Sequence, residues 1–132
     1  MRVALIIMLV SLFLAGCGEQ SASNDGAADA VVQHLTLLVN KDETGFSQTI
    51  CPAYESEAMR EFRSFGAVDA SLNDVSCAVD GTEGDTTFVI CTGSIDLVYQ
   101  GEETRPLDLS RVPYRAVQDD GQWKVCGKGR EE

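Results

Sequence analysis

The hydrophobic pattern of this chain changes period once, at Gly66, and that change sets the order of its elements. Before Gly66, apolar residues recur three and four apart, as on one face of a helix. After it they alternate, as in strands with one buried face. Val31, Leu35 and Leu38 fall on one side of a first helix, with Ala27 and His34 beside them. Asp25 or Asp29 can cap its start, and Asn40 stops it. A short helix is expected over Glu43–Ile50, broken by Cys51-Pro52, and a third over Tyr54–Phe65 with Ala58, Phe62 and Phe65 on one side and Met59 nearby. The strands follow. Val75, Cys77 and Val79 alternate, then Asp80–Asp85 reads as a turn. Val89, Cys91, Ile95, Leu97 and Tyr99 share a face, with Gly93 marking a bulge. After a turn at Gln100–Glu103, Leu107–Val117 reads as one long run whose parity slips near Pro113. Asp119-Asp120-Gly121 turns the chain into a last strand, Trp123–Cys126, and the rest reads as a charged tail. The expected class is α+β, with N-terminal helices packed on a curved antiparallel sheet of about four strands.

The segment Met1–Gly16 does not belong to that domain. Arg2 is its single charge, and Val3–Phe13 is apolar except for Ser11. A membrane-spanning helix needs about 20 apolar residues, so this run has instead the length of a signal-peptide core. A core helix of the domain ending in Gly-Cys-Gly is also unsuitable, because the run has no polar face. It ends in Leu14-Ala15-Gly16-Cys17, which resembles the lipobox of bacterial lipoproteins. The resemblance implies cleavage between Gly16 and Cys17 and a diacylglycerol thioether, with fatty acyl chains such as palmitate, on Cys17. The domain would then stand outside the cytoplasm at the cell membrane or outer membrane. The expected layout is signal peptide 1–16, flexible tether 17–28 from lipidated Cys17, domain 29–127 and tail 128–132. The tether is small and polar, which suits a spacer.

Cleavage removes one basic residue, so the formal net charge falls from −11 to −12. Such a surface repels phosphates, which excludes nucleic acid as a partner and leaves membrane contact to the lipid. Cations or basic peptides remain compatible with it.

Setting Cys17 aside leaves Cys51, Cys77, Cys91 and Cys126. An even number in an exported domain points to two disulfides. Three connectivities are possible. Cys77 and Cys91 share the inward parity of neighbouring strands, which favours their pairing and leaves Cys51 to Cys126. No C-x-x-C pair occurs, so neither a zinc site nor a redox motif is expected. The acidic turns lack the ligand pattern of a calcium loop, and no cofactor or metal is implied.

The opening helix around Val31-Val32-Gln33-His34-Leu35, the Asn40-Lys41-Asp42 turn and the closing Tyr114–Cys126 hairpin together resemble the nuclear-transport-factor-2-like superfamily, in particular small bacterial lipoproteins with this cone-shaped domain. The resemblance covers about residues 28–127. It implies a curved sheet around helices, with His34, Phe62, Tyr114 and Trp123 as candidate cavity residues. Its isomerase-type members use carboxylates and tyrosines inside the cone. The corresponding residue types here are Tyr54, Tyr99 and Tyr114 with Asp69, Asp74 and Asp96, of which Asp74 and Asp96 fall out of phase with the apolar positions and so should face solvent. His34 is the single histidine. No orienting carboxylate is evident for it and no G-x-S-x-G elbow occurs, so no catalytic constellation is assigned. The superfamily holds enzymes and binding modules alike, so fold does not decide function. The expectation is a non-enzymatic binding or association module at the membrane surface. Its alternatives are a small hydrolase or isomerase using the cone cavity, and a homodimer through the sheet face.

Overall fold

The computed structural model describes residues 25–130. The expected signal peptide, with its cleavage site at Gly16 and Cys17, and most of the expected tether lie outside the described residues. Three helices come first: α1 (Asp25–Val39), α2 (Glu43–Gln48) and α3 (Glu55–Ser64). Five strands follow: β1 (Asp69–Glu83), β2 (Thr86–Val98), β3 (Arg105–Asp108), β4 (Tyr114–Asp119) and β5 (Gln122–Lys128). All pair antiparallel in one sheet. No helix among the described residues is long and apolar enough to cross a membrane.

The apolar stripe of α1 is the centre of the core. Val31, Leu35 and Leu38 are buried with Phe46 of α2, Ala58 and Met59 of α3, and the inward residues Val89, Cys91, Ile95, Ala116 and Val125 of the sheet. Lys41 adopts a left-handed conformation (φ 57°) after α1, a common way to end a helix. Asp42 then caps α2 by accepting from the Gly45 amide at 2.9 Å.

The strand order is β1-β2-β4-β5, with β3 beside β2. Thr86–Val89 of β2 pairs with β4, and Ser94–Leu97 pairs with β3. The expected single run Leu107–Val117 is therefore two strands sharing one position in the sheet. Between them, Leu109–Arg111 forms a 3-10 turn. Its first residue, Leu109, is buried, and Pro113, which has no N–H to give a ladder, follows it. Bulges interrupt β1 at Asn73/Ser76 and Val79/Thr82. The second lies inside the segment read as the Asp80–Asp85 turn, so β1 continues to Glu83 and the turn is Gly84-Asp85. Gly93 faces the first bulge with φ 88°, and a Cβ there would lie 2.5 Å from the carbonyl oxygens of Asn73 and Asp74. Only glycine fits that approach.

Asp120-Gly121, both at positive φ, closes the β4–β5 hairpin with two residues, the geometry that matches strand twist. Residues 128–130, expected as part of a charged tail, are held by the fold. Lys128 pairs with Tyr114, the Gly129 amide donates to Pro113 O at 2.8 Å, and Arg130 bonds the Asp80 carboxylate at 2.8 Å. At the other boundary, α1 starts at Asp25, four residues before the expected domain edge, because Ala27 and Ala28 are buried.

The free edge of β5 is covered. Val125 donates to Thr49 O at 2.7 Å and Cys51 donates to Val125 O at 3.0 Å, which lays residues 49–51 alongside β5. A disulfide between Cys51 and Cys126 (Cα–Cα 5.0 Å) closes this seam. A second disulfide joins Cys77 and Cys91, directly opposite each other on β1 and β2 (Cα–Cα 4.0 Å).

Candidate functional site

α1 carries His34 beside its apolar stripe and buries it, 1% exposed, against α2 and β4. The imidazole lies 4.5 Å from the Phe46 ring and 6.2 Å from the Tyr114 ring, centroid to centroid. Phe46 in turn lies 5.0 Å from Phe62. Three of the four candidate cavity residues are thus joined in one run of ring contacts, Tyr114 to His34 to Phe46 to Phe62.

Hydrogen bonding defines the tautomer. The Thr49 hydroxyl donates to Phe46 O at 2.7 Å, so its lone pair accepts from His34 Nδ1 at 2.8 Å. The imidazole is neutral with its proton on Nδ1. Burial, reinforced by the positive charge of Lys128, pushes its pKa down to about 3. A base that weak accepts little proton from a substrate at neutral pH.

The tyrosines behave similarly. Burial raises the Tyr114 phenol above its ordinary pKa, and the nearby Glu61 charge adds to the shift. Tyr54 is raised by burial, then by Glu61 and Glu57, with Arg115 opposing. Its hydroxyl has no hydrogen-bond partner among the described residues. Over Tyr114, Lys128 Nζ sits 5.5 Å from the ring centroid and bonds Glu61 Oε1 at 2.6 Å. This ion pair ties α3 to β5 across the stack. Phenols that stay protonated and a neutral imidazole form a packed polar interior rather than an acid–base pair.

The carboxylates stand elsewhere. Asp69 and Asp74 are exposed. Asp96, half-buried, accepts from Ser94 Oγ at 2.8 Å and Asn73 Nδ2 at 3.0 Å. Tyr99 is exposed under Arg105, whose guanidinium lies 6.0 Å from the ring centroid. Of four surface hollows of about 350 to 590 Å³, none is lined by His34, Phe62 or Tyr114.

Trp123 is half-buried and separate from the stack. The first turn of α1 lies against its indole, and a Cβ on Gly26 would come within 2.7 Å of Cδ1 and Nε1. It forms the wall between two hollows. One, of about 460 Å³, is lined by Asp29, Gln33, Gln48, Thr49 and Gln122 among others. The other, of about 590 Å³, includes Thr82, Asp85, Thr87 and Gln118. The sequence groups Trp123 with the core aromatics and does not signal these neighbours, which come from separate elements.

No family model matches the chain, and no curated protein matches it by sequence. Solved structures do align with it. A designed nuclear-transport-factor-2-like protein aligns at TM-score 0.53 with 14% identity, over 80% of this chain and 96% of that one. A SEC-C motif containing protein from Rhodopseudomonas palustris aligns at TM-score 0.49 with 9% identity, over 83% of this chain and 91% of that one. At these identities the first likeness shows fold alone. The chain is thus an α+β protein with the nuclear-transport-factor-2-like cone, its helices packed against a curved antiparallel sheet.

Proposed function

We propose that this chain is a lipid-anchored cell-envelope protein whose cone-shaped domain binds a partner and performs no chemistry on it. The observation that carries the reading is the cysteine pairing. Cys51–Cys126 and Cys77–Cys91 account for all four domain cysteines. That leaves Cys17 as the single unpaired thiol, at the position where the lipobox resemblance expects acylation. Paired cysteines persist in oxidising compartments outside the cytoplasm, which is where a lipoprotein signal would deliver the domain. Two or more acyl chains on one residue are enough for stable anchoring. Support for binding rather than catalysis comes from the interior, where His34 is neutral, bonded to Thr49 and stacked on Phe46.

Replacing Cys17 with Ser is expected to release the domain into the soluble fraction or leave it unprocessed, with the wild type in the membrane fraction. A Cys17→Ser variant that is fully processed and still membrane-bound contradicts the reading.

A further inference from the structure

We infer that the two hollows flanking Trp123 form a binding site for a neutral oligosaccharide. The inference deepens the binding reading above and rests on it. Five glutamines lie between residues 25 and 130, and four of them line these hollows. Gln33 comes from α1, Gln48 from α2, Gln118 from β4 and Gln122 from β5. All four are exposed, and among the described residues their amides make no hydrogen bond within the protein. Four different elements thus present the same uncommitted group in the hollows that share Trp123.

The chemistry of that set selects a ligand class. A primary amide both donates and accepts, as a sugar hydroxyl does, so each can satisfy the other in either sense. The indole offers a face with negative quadrupole, against which the C–H face of a pyranose packs. The charges decide against the rivals. Neither Trp123 hollow is lined by Lys or Arg, whereas Arg105 and Arg63 line the other two. A phosphate or carboxylate ligand would find no counter-charge here. Each Trp123 hollow has one carboxylate, Asp29 or Asp85, which can accept from a hydroxyl. Amides outnumber these carboxylates two to one, a balance that suits a hydroxylated neutral ligand better than a polycation. The volumes, about 460 and 590 Å³, lie in the range of small-ligand sites. Two hollows that share Trp123 as a lining residue suit neighbouring residues of one chain.

Trp123 is the chain's single tryptophan, so its emission reports this site alone. The test uses the full chain, extracted from membranes in a zwitterionic detergent without a sugar headgroup. A β-1,4-linked N-acetylglucosamine tetramer and maltotetraose are titrated separately, with tetralysine as the rival probe. A saturable change in emission with at least one sugar is expected, with half-saturation at about 1 mM or below. Gln33→Ala and Gln122→Ala, both at exposed positions, should each weaken it about fivefold while circular dichroism stays unchanged. No saturable response to either sugar up to ~10 mM, a response to tetralysine alone, or a sugar response unmoved by both substitutions would overturn the inference. Chromatography of the recovered sugar separates the two readings. An intact tetramer keeps the domain a binding module, whereas a shortened one ends that reading and leaves the site in place.

Discussion

His34 shows how one buried side chain couples the interior to pH. In the unfolded chain it titrates near its ordinary value of 6.5, and in the fold near 3. Between those values the unfolded state takes up a proton that the native state refuses, so stability falls as pH falls below 6.5. From pH 7 to pH 5 the loss from this residue is about 2 kcal/mol. Above pH 7 both states are neutral and the term vanishes. His34→Gln keeps a donor toward Thr49 but cannot titrate. Urea unfolding at the two pH values should therefore show the wild type losing about 2 kcal/mol more than the variant. An equal loss in both would mean that His34 is protonated in the native state. The same low basicity is what removes His34 as a general base, so the measurement bears on function as well as on stability.

At the scale of elements, the two disulfides close loops of very different length. Cys51–Cys126 spans 75 residues and joins the helical layer to β5, whereas Cys77–Cys91 spans 14 within one hairpin. Chain-entropy arguments give about 4.5 kcal/mol for the first and about 3 kcal/mol for the second. Replacing the pair Cys51 and Cys126 with Ser should cost more stability in denaturant unfolding than replacing Cys77 and Cys91. The reverse order would place the seam between residues 49–51 and β5 outside the cooperative core. The helices and the hairpin pairing of Cys77 with Cys91 were legible because they are local: periodicity and strand parity lie within one short window. What escaped depends on non-local partners. Leu107–Val117 looks continuous until β2 is seen to pair with β3 at one end and β4 at the other. Residues 128–130 look like a tail because Tyr114, Pro113 and Asp80, which hold them, are distant in sequence. The site divides in the same way. His34 stood out as a lone histidine beside an apolar stripe, but four glutamines on four elements carry no spacing that a linear reading could detect.

At the scale of the whole molecule, the domain carries strong negative charge, two covalent staples and a buried hydrophobic core. Each fits a small module that works at a surface outside the cytoplasm. On the anchored reading proposed above, the acidic exterior would keep the domain from settling on anionic headgroups. The staples add stability that a core of about 100 residues supplies only modestly. If Cys17 carries the lipid as proposed, residues 17–25 can span at most about 28 Å, which would keep the Trp123 rim at the start of α1 close to the membrane. The central claim is that five cysteines divide into one lipid attachment and two disulfides. The intact mass of the unreduced protein, extracted from membranes, tests it most directly. The account predicts a chain that begins at Cys17, carries a diacylglycerol adduct and gains four hydrogens on reduction. A mass that begins at Met1, an unmodified Cys17, or four free thiols before reduction would contradict it.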